Sequence, residues 1–227
     1  MKPVMYKTPT FKFIPRHSRV MIFNMFELQG RQEDDQKIID YLLEHKKQNI
    51  TEKDSNVFSW QTSWDSYKDH PICHGLVRDI FKMLLTEDTL KALTFQDQFW
   101  IEHNCPSFFQ DSKLDECWFG IYEEGDYARQ HDHGYGGISF CYYMHMENNS
   151  SPILFTSDSL PNVTGLNREK SIYVNPRVGE LIVFPSDLPH EVPSTTGKRI
   201  AFSGNIKFNL NKCLGTTIEE ILTKDIG

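Results

Sequence analysis

The sequence lacks most of the features that would place it in a class at sight. No apolar run approaches the roughly 18 residues that a membrane-crossing helix needs, and the longest stretches are short ones such as Val20–Phe23 and Leu181–Phe184. A basic excess is also missing: 24 Lys and Arg against 31 Asp and Glu leave a formal charge of −7. With no basic stripe interleaved with aromatics, the chain has no electrostatic footprint for nucleic acid or an anionic membrane. Cysteine is sparse: five residues at 73, 105, 117, 141 and 213, odd in number and without a CxxC pair. Absent a signal peptide as well, these read as reduced thiols, and a cytoplasmic location is expected. No repeat, low-complexity tract or Gly/Ser linker divides the chain, so residues 1–227 are expected to form a single domain. What is abundant is aromatic: 16 Phe, 9 Tyr and 4 Trp, a richness that favours a β-dominated core.

Periodicity gives the elements. Thr10–Ile14 and Arg19–Leu28 are β-like, whereas residues 31–48 carry Ile38, Ile39, Leu42 and Leu43 at helical spacing, with acids at the start and lysines at the end. The polar stretch Thr51–His70 reads as irregular. Leu76, Ile80, Met83 and Leu84 mark a second helix, and Leu90 to Leu93 the start of a third. Strands then follow one another at Glu116–Tyr122, Gly137–Met146, Pro152–Ser157, Ser171–Val174, Glu180–Phe184 and Lys198–Asn209. In the last of these, Ile200, Phe202, Ile206 and Phe208 share one face, with Arg199, Ala201, Ser203, Asn205 and Lys207 on the other. In the second, Ile138, Phe140, Tyr142, Met144 and Met146 oppose Ser139, Cys141, Tyr143 and His145. The pattern predicts a mainly β chain with supporting helices: residues 1–110 as N-terminal strands and helices, 115–210 as a jelly-roll-like core, and 211–227 as a C-terminal helix or tail. Apolar faces would meet the helices, and polar faces would line the inside of the roll.

Residues 131–133 read His-Asp-His before a glycine-rich turn. At i and i+2 on an extended chain, His131 and His133 reach one metal ion together, and Asp132 points away. His190 follows the strand ending at Phe184, and Arg199 opens the last strand on its polar face. Taken alone, the histidine pair is as well explained by a hydrogen-bonded turn, and Arg199 by a surface ion pair.

The longer text carries more weight. Tyr122-Glu-Glu-Gly-Asp-Tyr-Ala-Arg-Gln-His131-Asp-His133, Ile138-Ser-Phe-Cys-Tyr-Tyr143-Met, Gly179 through His190-Glu-Val, and Arg199-Ile-Ala-Phe-Ser203-Gly-Asn occur in order. This run, roughly residues 115–210, resembles the iron(II)/2-oxoglutarate-dependent oxygenases, nearest their prolyl-hydroxylase-like branch and related phage and bacterial proteins. The resemblance implies a cupin-like double-stranded β-helix holding Fe(2+), with 2-oxoglutarate as co-substrate and O2 as oxidant. It also implies hydroxylation of a C–H bond in a protein side chain or small molecule, with 2-oxoglutarate decarboxylated to succinate. On the family pattern His-x-Asp/Glu…His, His131 and His190 take the outer places, and His133 stands where a carboxylate is usual. Strand geometry favours His131, His133 and His190 as the metal set, with Asp132 as the alternative to His133. The resemblance assigns Arg199 to the distal carboxylate of 2-oxoglutarate, assisted by Tyr143 and Ser203, and leaves Tyr122 and Asn205 on the substrate side or pocket wall. Two rivals stand beside it: a cupin-like three-histidine metalloprotein that does not use 2-oxoglutarate, and a non-catalytic jelly-roll binding module.

Overall fold

The computed structural model describes residues 11–14, 17–48, 56–68, 70–84, 113–134, 137–156, 171–207 and 216–217. Two antiparallel sheets face one another. The larger has the order β1 (Phe11–Ile14), β2 (His17–Asn24), β10 (Glu180–Pro185), β7 (Gly137–Met146), β12 (Arg199–Lys207), β5 (Lys113–Tyr122) and β13 (Thr216–Thr217), with β4 (Trp60–Gln61) also paired to β5. The smaller runs β3 (Val57–Phe58), β6 (Tyr127–His131), β11 (His190–Val192), β8 (Ile153–Thr156) and β9 (Ser171–Val174). This is the jelly-roll arrangement expected of the strand pattern.

Two helices cover the outer face of the larger sheet. In α2 (Pro71–Leu84), proline occupies the first helical position, where its missing N–H costs nothing, and Ile72 N donates to His70 Nδ1 at 3.2 Å. Cys73, Leu76, Val77, Ile80, Phe81 and Leu84 form its buried stripe. Ile38 and Leu42 of α1 (Arg31–Gln48) join that stripe, against Phe140, Tyr142, Phe119 and Phe202 of the sheet. A buried polar clasp fixes the layer. Arg31 Nε meets Asp35 Oδ1 at 2.9 Å and its Nη1 meets Asp79 Oδ2 of α2 at 3.1 Å, while the Tyr142 hydroxyl donates to Asp35. Burial raises the Asp35 pKa to about 6 even against the charge of Arg31. No helix among the described residues is long and apolar enough to cross a membrane.

The opposite face of the larger sheet meets the smaller one through a second core of Val20, Ile22, Tyr143, Phe155, Ile182, Phe184 and Ala201. Across β5, β12 and β7 this inner face reads as rungs: Tyr122–Arg199–Met146, Gly120–Ala201–Tyr143, Trp118–Ser203–Cys141 and Glu116–Asn205–Ser139. The first rung departs from strict alternation. The register of β7 against β12 shifts between Ile200 and Ala201, so one residue near Met144 is extra. That bulge turns Met146 to the inner core and puts His145 beside Ile200, whose side chain lies in the helix-side core. Strict alternation placed these two the other way round.

Three further expectations changed. Within Thr51–His70 the described residues form β3, β4 and a 3-10 turn at Ser66–Lys68. The short strands β6 and β11, which carry His131 and His190, had no recognisable pattern of their own. Thr216–Thr217 pairs as a strand within the segment assigned to a C-terminal helix or tail. The third helix expected from Leu90 lies outside the described residues, as does the stretch 157–170.

Sheet packing is tight at Gly204, where an added Cβ would lie 2.6 Å from Phe140 Cζ, 2.7 Å from Cys117 Cβ and 2.8 Å from Glu116 O. Gly204→Ala is expected to destabilise the protein by about 1–3 kcal/mol through overpacking. Urea denaturation checks it; an unchanged midpoint would show that the two strands have room to separate.

Candidate metal centre and co-substrate cleft

His131 and His190 are direct cross-strand partners on the smaller sheet. β6 carries one residue more than β11 between this pair and Ala128–Val192, and the bulge aims both Ala128 and His131 into the roll. The two rings use the same local device. His131 Nδ1 lies 2.6 Å from Arg129 O and His190 Nδ1 2.9 Å from Leu188 O, so a backbone carbonyl takes each Nδ1–H and leaves Nε2 as a free lone pair. His133 follows β6 with its backbone N donating to Ser186 O at 2.8 Å. The ring centroids are 4.4 Å apart for His131–His190, 5.1 Å for His131–His133 and 5.3 Å for His133–His190. One nitrogen from each of the three lies within 4.8 Å of the others.

Asp132 is turned away. Its side chain is exposed and accepts from Gly134 N at 2.9 Å, closing a turn in which Gly134 adopts φ +76°, a conformation that suits glycine. The structure therefore converges His131, His133 and His190 and leaves Asp132 on the solvent side.

His133 and His190 are set up to stay neutral. Burial, helped by the neighbouring His131, lowers the His133 pKa to about 4, with Asp132 opposing. Burial likewise lowers that of His190 to about 3, His131 adding to it and the Leu188 carbonyl opposing. Folded-state values below the unfolded 6.5 mean that the unfolded chain binds the extra protons. Their contribution to stability is complete above pH 6.5 and is lost as the pH falls towards 4 and then 3. The metal-free protein should therefore melt at lower temperature as the pH drops from 7 to 4, and a His133→Gln/His190→Gln variant should lose less over that window. Parallel curves for the two proteins would contradict this.

A cleft of about 470 Å³, counting its solvent-open mouth, runs from the histidines to Arg199. Arg199 is 2% exposed. Its guanidinium stacks 4.1 Å from the Tyr122 ring centroid and 5.7 Å from that of Tyr143, and Nη1 donates to Ser151 O at 3.4 Å. Nε has no partner, and neither does the buried Tyr143 hydroxyl, whose pKa burial raises. Tyr122 supports the guanidinium from one side. Ser203 lines the cleft, but its hydroxyl donates to Cys141 Sγ at 3.3 Å. Asn205 sits at the other end, with Nδ2 3.2 Å from His133 Nδ1.

Sequence reasoning missed Trp118, which lines the cleft 6.3 Å from the His133 ring, and Ser139 and Ser151, which meet Asn205 and Arg199. Trp118 shares strand parity with Tyr122, a signal that was available. Ser151 lies outside any strand and gave none.

Residues 116–205 match the family model described as putative 2OG-Fe(II) oxygenase. No curated protein sequence matches the chain. Among solved structures, a prolyl-4-hydroxylase from Pseudomonas putida is similar at TM-score 0.56 and 15% identity, over 84% of this chain and 93% of that one. HygX from Streptomyces hygroscopicus, solved with nickel and 2-oxoglutarate, gives 0.57 and 8%, over 85% and 83%. The α-ketoglutarate-dependent epimerase SnoN of nogalamycin biosynthesis gives 0.59 and 11%, over 84% and 78%. At these identities the likeness is one of fold, and it agrees with the match of residues 116–205 to the family model for putative 2OG-Fe(II) oxygenases.

Proposed function

We propose that the protein hydroxylates a C–H bond in a protein side chain or a small molecule, coupled to conversion of 2-oxoglutarate to succinate. The observation that carries this is Arg199: a buried guanidinium with an unpartnered Nε, beside an unpartnered tyrosine hydroxyl, at the far end of a cleft from three convergent histidines. Burying a cation without an anion is costly. The cost makes sense where an anionic ligand completes the site, and a planar fork suits a carboxylate. HygX, of similar fold, holds nickel and 2-oxoglutarate.

The donor set fits iron(II). Imidazole is an accepted ligand for iron, and three histidines converging from one side would leave room for co-substrate on the other. His131, His133 and His190 would hold the metal through Nε2, while the Arg129 and Leu188 carbonyls fix two of the rings. Bound iron supplies the oxygen activation that links decarboxylation of 2-oxoglutarate to insertion of one oxygen atom into the substrate. Arg199 and Tyr143 bind the distal carboxylate, the first by its fork and the second by its hydroxyl. Tyr122 keeps the guanidinium in place by stacking. Ile153, Phe184 and Val192 make the wall apolar and exclude water from the reacting end. Trp118, half-buried at the mouth beside His133, supplies a face for the primary substrate.

The test is succinate formation from 2-oxoglutarate with iron(II) and ascorbate. Turnover that depends on His131 and His190 supports the proposal; a folded protein with no turnover and no 2-oxoglutarate binding would overturn it.

A further inference from the structure

Cys141 is a nucleophilic side chain of the cleft that the proposed reaction leaves idle. It sits on the Trp118–Ser203–Cys141 rung, between the Asn205 rung at the histidine end and the rungs of Tyr143 and Arg199 at the other. A ligand that spans from the histidines to Arg199 therefore passes its thiol. Cys73 and Cys117 are placed quite differently. Both are fully buried in the helix-side core, and burial pushes the Cys117 thiol up. Cys141 is 7% exposed and lines the cleft, so a small reagent reaches it by the route that a ligand takes.

The surroundings suit an oxygen atom on that sulfur. Ser203 Oγ already donates to Cys141 Sγ at 3.3 Å. Two more buried donors that line the cleft have no partner, the Tyr143 hydroxyl and Arg199 Nε. Reactive cysteines sit where donors and positive charge surround the sulfur and a reagent can enter. We propose that Cys141 is an oxidation site that closes the cleft: hydrogen peroxide converts its thiol to a sulfenic acid, and the added oxygen takes space that 2-oxoglutarate needs. The sulfur attacks one peroxide oxygen, the O–O bond breaks, and the thiol proton leaves with the other oxygen as water. Sulfur loses two electrons and the peroxide gains them. Dithiothreitol reverses the step, the oxygen leaving as water while the dithiol becomes a disulfide. The inference rests on the co-substrate reading above and adds a redox control to the same cleft.

The test uses the full chain with Zn(II), which has no redox chemistry of its own with peroxide. After brief exposure to hydrogen peroxide, dimedone trapping and peptide mass spectrometry should find sulfenic acid at Cys141 and none at Cys73 or Cys117. Saturating 2-oxoglutarate should slow that labelling several-fold. In untrapped samples, calorimetry should show the affinity for 2-oxoglutarate reduced about tenfold or more by peroxide and restored by dithiothreitol. In Cys141→Ser the affinity should be the same before and after peroxide. Absence of sulfenic acid at Cys141, labelling at an unchanged rate with 2-oxoglutarate bound, or an equal loss of affinity in Cys141→Ser would each overturn the assignment while leaving the co-substrate reading intact. Untreated protein that binds no 2-oxoglutarate would instead remove that reading and this inference with it.

Discussion

Arg199→Met is expected to abolish useful 2-oxoglutarate binding and at the same time to make the ligand-free protein more stable. The first effect follows from removing one partner of a buried charge pair, which costs about 3–5 kcal/mol, or roughly 10²- to 4 × 10³-fold in affinity. It appears as a raised KM for 2-oxoglutarate with Co(II) affinity unchanged, because Arg199 lies at the opposite end of the cleft from the histidines. The second effect follows from its surroundings. Only 2% exposed, Arg199 stacks on Tyr122 and Tyr143 with Nε unpartnered, so an apolar side chain of similar length should add about 1–3 kcal/mol. Calorimetry reads the affinity and thermal melting the stability. A three-histidine protein that makes no use of 2-oxoglutarate would show no change in its affinity for that compound. Loss of both stability and binding would mean that Arg199 is a structural cation.

The other large effect concerns the metal. His131→Ala or His190→Ala should weaken Co(II) or Fe(II) binding by well over 10²-fold, since groups that merely orient a ligand are worth about 10–100-fold. Asp132→Asn should leave affinity within about 3-fold, because its exposed side chain is engaged with Gly134 N and an amide oxygen fills the same role. Anaerobic titration followed by the cobalt absorption bands measures all three. Loss of binding in Asp132→Asn would put a carboxylate, one residue earlier than in the family pattern, into the metal set and displace His133 from it.

The β-rich core was legible because strands buried on one face alternate, and β7 and β12 do so over most of their length. Gly137–Met146 and Ser171–Val174 were read to the residue. Alternation also put Arg199, Tyr143, Ser203 and Asn205 on one inner face, where the register of β12 with β5 and β7 places them. What it could not reveal were the bulges. One at β7 exchanges His145 and Met146, and one at β6 lets Ala128 and His131, three apart, face the same way. Bulges are set by pairing with a distant partner strand and leave no periodic trace. The same limit hid β3, β6 and β11, of two to five residues each, too short for a period to develop. The contacts around Asn205 were illegible for another reason: Glu116, Ser139 and His133 come from three separate stretches of chain and meet only across the rung.

The central claim is that one ligand spans the cleft between the three histidines and Arg199. An anaerobic crystal structure with iron(II) and 2-oxoglutarate tests it most directly. The account predicts the metal on Nε2 of His131, His133 and His190, with the distal carboxylate of 2-oxoglutarate on the Arg199 fork and the Tyr143 hydroxyl. A metal held by Asp132, or a 2-oxoglutarate carboxylate bound away from Arg199, would contradict it.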